Sequence, residues 1–102
     1  MILILLKDVN SIINLDKFIY TQICQEKIFK QPNDYEYTKQ FSVNAIFEDG
    51  TVRQISPHYD SKEEAEIFVS YLFDKIYSKK DSYNILIYSQ DIDSEVQERF
   101  HK

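Results

Sequence analysis

Phe41, Val43, Ala45 and Phe47 alternate with Ser42, Asn44, Ile46 and Glu48, which is close to the period of two that half-buries a strand. Asp49-Gly50 follows, a dipeptide that accepts the positive φ angles of a tight hairpin turn. Thr51 to Ile55 reads as the return strand and stops before Ser56-Pro57, because proline cannot donate to a ladder. Ser61 with Glu64 three positions on has the form of a capping box, and the helix predicted from it runs to about Ser78. Ala65, Phe68, Val69, Leu72, Phe73 and Ile76 follow a three-four spacing and define its buried stripe. Glu63, Glu64 and Glu66 suit the positive end of the helix dipole, and Lys75, Lys79 and Lys80 suit the other.

The remaining pattern is less regular. Ile2 to Leu6 is apolar on both faces, which predicts a strand that is central or covered by the helix. Ile12 to Asp16 is a short extended piece or a wide bend. Lys17 to Phe29 is rich in β-branched and aromatic residues and predicts a strand with a bulge near Cys24, with a helix over the same residues as the competing reading. Lys30-Gln31-Pro32-Asn33-Asp34 is a loop. Tyr35 to Glu48 is then a long strand, with Tyr35, Tyr37, Phe41, Val43, Ala45 and Phe47 inward and Glu36, Thr38, Gln40, Ser42 and Asn44 wet. Tyr83 to Tyr88 reads as a last strand, and Asp91 to Phe100 as a short helix with Ile92, Val96 and Phe100 four apart. These elements predict an α+β domain: a mainly antiparallel sheet of five or six strands, one long amphipathic helix packed on one face, and a short C-terminal helix.

At 102 residues the chain fits one domain, 1–102, with a single modest core. With 43% apolar residues it should fold, and with 15% aromatics and no Trp its core is filled by Tyr and Phe. One Gly and two Pro exclude a flexible linker and a glycine-rich phosphate loop. The apolar run Met1 to Leu6 ends at Lys7 and Asp8, short of the roughly 7–15 residues of a signal-peptide core and the roughly 20 of a membrane span. No membrane role is expected. The lone Cys24 has no partner for an internal disulfide, and a reducing cytoplasmic setting suits it best.

Candidate chemistry is sparse. A zinc site needs three or four ligands, and only His101 and Cys24 could join His58, so His58 is read as an ordinary loop residue. Nothing beside Cys24 suggests an activated nucleophile, and no carboxylates form a catalytic motif. Neither enzyme nor cofactor is expected. Lys17, Lys27, Lys30 and Lys39 are interleaved with Tyr20, Phe29, Tyr35 and Tyr37, the best case for a single-stranded nucleic-acid module. Glu26, Asp34 and Glu36 offset three of those lysines, and the aromatics are better used as core. The net charge of −5 also disfavours binding to phosphates.

The acidic residues are what is left. Glu48, Asp49, Asp60, Glu63, Glu64 and Glu66 face only Arg53 and Lys62 between positions 48 and 66, a net of −4. They predict a patch that docks on a basic protein surface, steered by long-range attraction. The arrangement strand, Glu48-Asp49-Gly50, strand, Asp60-Ser61-Lys62-Glu63-Glu64-Ala65-Glu66, helix resembles small uncharacterised proteins of low-GC bacteria and their phages. That setting includes anti-CRISPR and other anti-defence inhibitors, so the resemblance implies a protein that blocks a basic nucleic-acid-binding surface. The expected function is therefore a small acidic inhibitor or regulator. The alternative is a homodimeric assembly module using an exposed sheet edge or the polar strand face of Thr38 to Asn44.

Overall fold

The computed structural model describes residues 2–6, 11–29, 36–78 and 85–100. In chain order these form β1 (Ile2–Leu6), β2 (Ser11–Asn14), β3 (Phe18–Phe29), β4 (Tyr37–Phe47), β5 (Val52–Gln54), α1 (Lys62–Ser78), β6 (Ile85–Tyr88) and α2 (Ser89–Phe100). The α+β class agrees with the sequence. The single sheet does not, because the strands form two sheets of three, ordered β2-β1-β6 and β3-β4-β5. The first holds an antiparallel pair, β1 with β2, and a parallel pair, β1 with β6. The second is an antiparallel meander.

Local bonds explain the split. After β2 the Leu15 N–H returns to the Ile2 carbonyl at 2.7 Å, and the Asp16 carboxylate takes the Ile2 N–H at 2.6 Å. This turn closes the first sheet, and the Glu48 N–H to Lys17 carbonyl bond, at 3.1 Å, starts the second. A parallel partner for β1 needs a long crossover, which β3 to α1 supply. In place of one long helix across one face of a single sheet, the long helix and the short C-terminal helix, of 17 and 12 residues, pack on each other. Helix α1 lies on β3 and β4, while α2 lies on β1 and β6.

Both sheets drain into one core. Ile4, Ile13, Ile85 and Ile87 from the first sheet meet Val43, Ala45 and Ile55 from the second, with Ala65, Phe68, Leu72, Ile92 and Val96 from the helices. Burying each large side chain is worth about 1.5–3 kcal/mol. The α1 stripe behaves as its spacing predicts: Ala65, Phe68 and Leu72 are fully buried, and Val69 and Ile76 pack partly against the core. Ser61 caps the helix, its Oγ accepting the Glu64 N–H at 3.3 Å and donating to the Glu64 carboxylate at 3.0 Å. Gly50 adopts φ +86° in the β4–β5 turn, the conformation for which the Asp-Gly pair is suited.

Three smaller expectations are corrected. The bulge in β3 falls between Phe18 and Tyr20, not near Cys24, where the strand leaves the turn that joins the sheets. Ser42, expected on a wet face, is buried, because the chain after β5 folds back on β4: the Ser56 hydroxyl takes the Val43 N–H at 2.8 Å, and Tyr59 bridges Phe41. Tyr37, expected inward, is 41% exposed, since α1 does not reach the far end of the hairpin. The predicted features at Met1, Lys7, Asp8, Lys30 to Tyr35, Lys79, Lys80, Tyr83 and His101 lie outside the described residues.

Two polar bonds tie the second sheet to α2. The Ser89 hydroxyl donates to the Ile55 carbonyl at 3.1 Å, and the buried Tyr59 hydroxyl donates to the Asp93 carboxylate at 2.8 Å. Burial raises the Tyr59 pKa, and the bond to Asp93 raises it further. The folded state therefore holds this proton more tightly than the unfolded chain. The stabilisation is complete below the ordinary tyrosine value of 10.0 and fades as pH rises above it. Tyr59→Phe should cost about 1.5–3 kcal/mol in urea unfolding at neutral pH, the range for a bond to a charged group, and should remove part of the alkaline loss of stability.

Candidate protein-binding surfaces

The six acidic residues do not form one surface. Glu48 and Asp49 sit in the β4–β5 turn, whereas Asp60, Glu63, Glu64 and Glu66 open α1 beside Tyr59. Tyr59 bridges Phe41, six residues before Phe47, so the two groups stand about 20 Å apart along β4 at roughly 3.3 Å per residue. Glu64 is 5% exposed and belongs to the helix cap. Glu66 lies 4.0 Å from Lys62, one helical turn away. Asp60 and Glu63 remain exposed carboxylates at the helix start.

Glu48 and Asp49 line a cleft of about 690 Å³ where the two sheets meet, together with Ile12, Lys17, Phe47 and Arg53. The cleft is of mixed charge, with two cations facing the acids. Asp49 accepts the Thr51 N–H at 2.9 Å, as an Asx turn does. Hydrogen bonds from the Thr51 side chain and N–H hold its carboxyl below the ordinary 3.8, with a smaller contribution from Lys17.

A different surface stands out once the strands are in register. On β1, Ile4 is fully buried in the core, so Leu3 and Leu5 point to the opposite face. Leu3 pairs with Leu86, and Leu5 with both Tyr88 and Ile12. Leu86, Tyr88 and Ile12 are 43%, 45% and 61% exposed, and Leu3 and Leu5 are half-buried. Five apolar side chains thus lie side by side on the outer face of the first sheet, which no described helix covers; α2 packs at the inner face, where Ile85, Ile87 and Ile92 are buried together. The sequence signal was the doubly apolar run Ile2 to Leu6, which predicted a strand that is central or covered by the helix. The strand is central, and among the described residues only one of its faces is covered.

The second open surface is the far half of the β3–β4 hairpin. Ile28, Phe29 and Tyr37 are exposed, Phe29 and Tyr37 touch with ring centroids 5.6 Å apart, and Lys27 Nζ lies 4.9 Å over the Tyr37 ring. Phe29 and Tyr37, expected in the core, are therefore surface residues, and Tyr20, near the start of β3, is exposed as well. The radius of gyration, 14.7 Å, exceeds the roughly 13 Å of a compact chain of this length, in keeping with a projecting hairpin.

His58 pairs with Glu26 at 3.3 Å, and Cys24 Sγ accepts from the Asn44 amide at 3.1 Å. Among the described residues no group of three or more His, Cys, Asp or Glu could hold a metal ion. None of the described helices is long and apolar enough to cross a membrane. No known protein family, curated protein or solved structure matches the chain.

The turn chemistry gives a direct check. In a carboxyl-detected NMR titration Asp49 should titrate below 3.8, and Thr51→Val should move it back toward that value by removing the side-chain donor while keeping the backbone bond.

Proposed function

We propose that this chain is a non-catalytic protein-binding module, an inhibitor or regulator of another protein, that docks through the outer face of the β2-β1-β6 sheet. The carrying observation is the registered block of Leu3, Leu5, Ile12, Leu86 and Tyr88. Contiguous apolar area of this kind on a small protein marks an interaction site. A sheet face also presents its side chains on a rigid lattice, so little conformational entropy is lost on docking. The partner's matching surface is apolar at the centre, where Leu86 and Tyr88 serve as anchors.

The acidic residues take a supporting role. Asp60 and Glu63 are exposed, and the net charge is −5, so a basic rim on the partner is favoured. Charges of this kind act on the rate of encounter more than on the lifetime of the complex. Blocking a basic nucleic-acid-binding surface, as an anti-defence inhibitor would, is the form of regulation that fits both features.

A photo-crosslinking residue at position 86 should capture a partner that the same residue at Ser70, on the exposed side of α1, does not. Adding Tyr88→Lys to the position-86 crosslinker should abolish that capture while leaving the circular dichroism spectrum unchanged; equal capture from positions 86 and 70 would sink the reading. Once the partner is in hand, reversing Asp60, Glu63 and Glu66 to Lys should slow association about tenfold at low salt and leave dissociation nearly unchanged.

A further inference from the structure

Strand β3 is the edge of its sheet, and its 12 residues make it the longest strand described. Its backbone polarity follows from the bonds of β4. Val43 turns both backbone groups away from β3, its carbonyl accepting the Ile55 N–H at 2.9 Å and its N–H bonding the Ser56 hydroxyl. Phe41 does the same, exchanging two bonds of 2.7 Å with Tyr59. Their partners across the ladder are Ile23 and Gln25. In an antiparallel pair, a residue opposite one that bonds elsewhere also bonds elsewhere. Ile23 and Gln25 thus direct N–H and C=O to the open edge, and by alternation so do Thr21 and Lys27. No described strand pairs with these groups. A long open edge is a template for another strand.

The side chains specify which strand. The exposed apolar residues of β3 are Ile19, Tyr20, Ile28 and Phe29, 58%, 52%, 40% and 52% exposed. They are placed symmetrically about Cys24, so that a second β3 running antiparallel with Cys24 opposite Cys24 sets Tyr20 against Ile28 and Ile19 against Phe29. The same register sets Gln22 against Glu26 and Thr21 against Lys27, and no like charges meet. It also brings Ile23 opposite Gln25, both with outward backbone groups, as a hydrogen-bonded pair requires. Sliding by one residue on each copy spoils the match: centred on Ile23, Tyr20 meets Glu26 and Ile19 meets Lys27, and centred on Gln25, Ile28 meets Gln22 and Phe29 meets Thr21. Opposed apolar pairs stabilise a sheet, and an apolar side chain against a charge does not.

We propose that two copies of this chain pair antiparallel along β3 in the Cys24-centred register, joining their second sheets into one of six strands. The interface is isologous, as a two-fold dimer requires. It forms about eight backbone hydrogen bonds from the outward groups of Thr21, Ile23, Gln25 and Lys27 on each copy. It leaves the outer face of β2-β1-β6 free on both copies, so it goes beyond the partner-binding role of that face.

Sedimentation of the full chain should give twice the monomer mass at high concentration. Gln25→Pro removes an N–H that β4 does not use, so the hairpin keeps its ladder while the new pairing loses a donor. This variant should sediment as a monomer. The double variant Tyr20→Lys, Ile28→Lys, altered only at exposed side chains, should do the same and covers the case in which the proline disturbs folding. A short bismaleimide should join wild-type chains through Cys24, and the product should vanish in Cys24→Ser. A wild-type chain that stays monomeric, or a dimer that survives both sets of substitutions, overturns the proposal. A dimer lost in both variants but never joined through Cys24 overturns the register. Leu86→Lys should leave the dimer intact, and a dimer lost in that variant counts against the β3 edge.

Discussion

One buried cluster serves both sheets, and the rest of the molecule follows from that economy. Ile4, Ile13, Ile85 and Ile87 reach it from one side, and Val43, Ala45 and Ile55 from the other, with Phe68, Leu72, Ile92 and Val96 between. Two helices suffice to cover one face of each three-stranded sheet. Among the described residues no further element covers the second faces. The outer face of β2-β1-β6 and the far end of the β3–β4 hairpin are open for this reason, and they hold most of the large apolar side chains that stay exposed.

The polar bonds that fasten the core are few and placed at its seams. Tyr59 to Asp93 and Ser89 to Ile55 hold α2 against the chain that leaves the second sheet, and Asp16 holds β1 at the turn between sheets. None of the buried side-chain polar atoms among the described residues lacks a partner. The carboxylates are employed in the same structural way: Glu64 in a helix cap, Asp49 in a turn, Asp93 under a tyrosine. This division of labour is why acidic residues that are close in sequence do not become one docking surface.

Under the two proposals together, the protein has two kinds of contact. The flat apolar sheet face suits a rigid partner surface with an apolar centre and a basic rim. The β3 edge suits another strand, and the symmetry of its exposed side chains suits a second copy. The two surfaces belong to different sheets and can be occupied together, so a dimer would present two docking faces.

Local patterns that the chain carries in a few consecutive residues were legible before any fold was known. The strand over Phe41 to Phe47, the Asp49-Gly50 turn, the Ser61 cap and the α1 stripe each depend on neighbours within one turn or one hairpin, and each appears where its spacing puts it, whereas the burial of Ser42 depends on the chain after β5. Which strands share a sheet was not legible, because β1 and β6 are joined by a crossover of nearly the whole chain, and no short-range pattern encodes a partner that distant. The fate of the apolar strand faces was hidden for the same reason. Ile2 to Leu6 is apolar on both faces and reads as a central or helix-covered strand, and only the position of α2 and the absence of a third described layer leave Leu3 and Leu5 beside an open surface. Likewise Phe29 and Tyr37 carry the composition of a core, yet the reach of α1 ends before them. Apolar character is a property of the residue, whereas burial depends on what else the chain can bring to cover it.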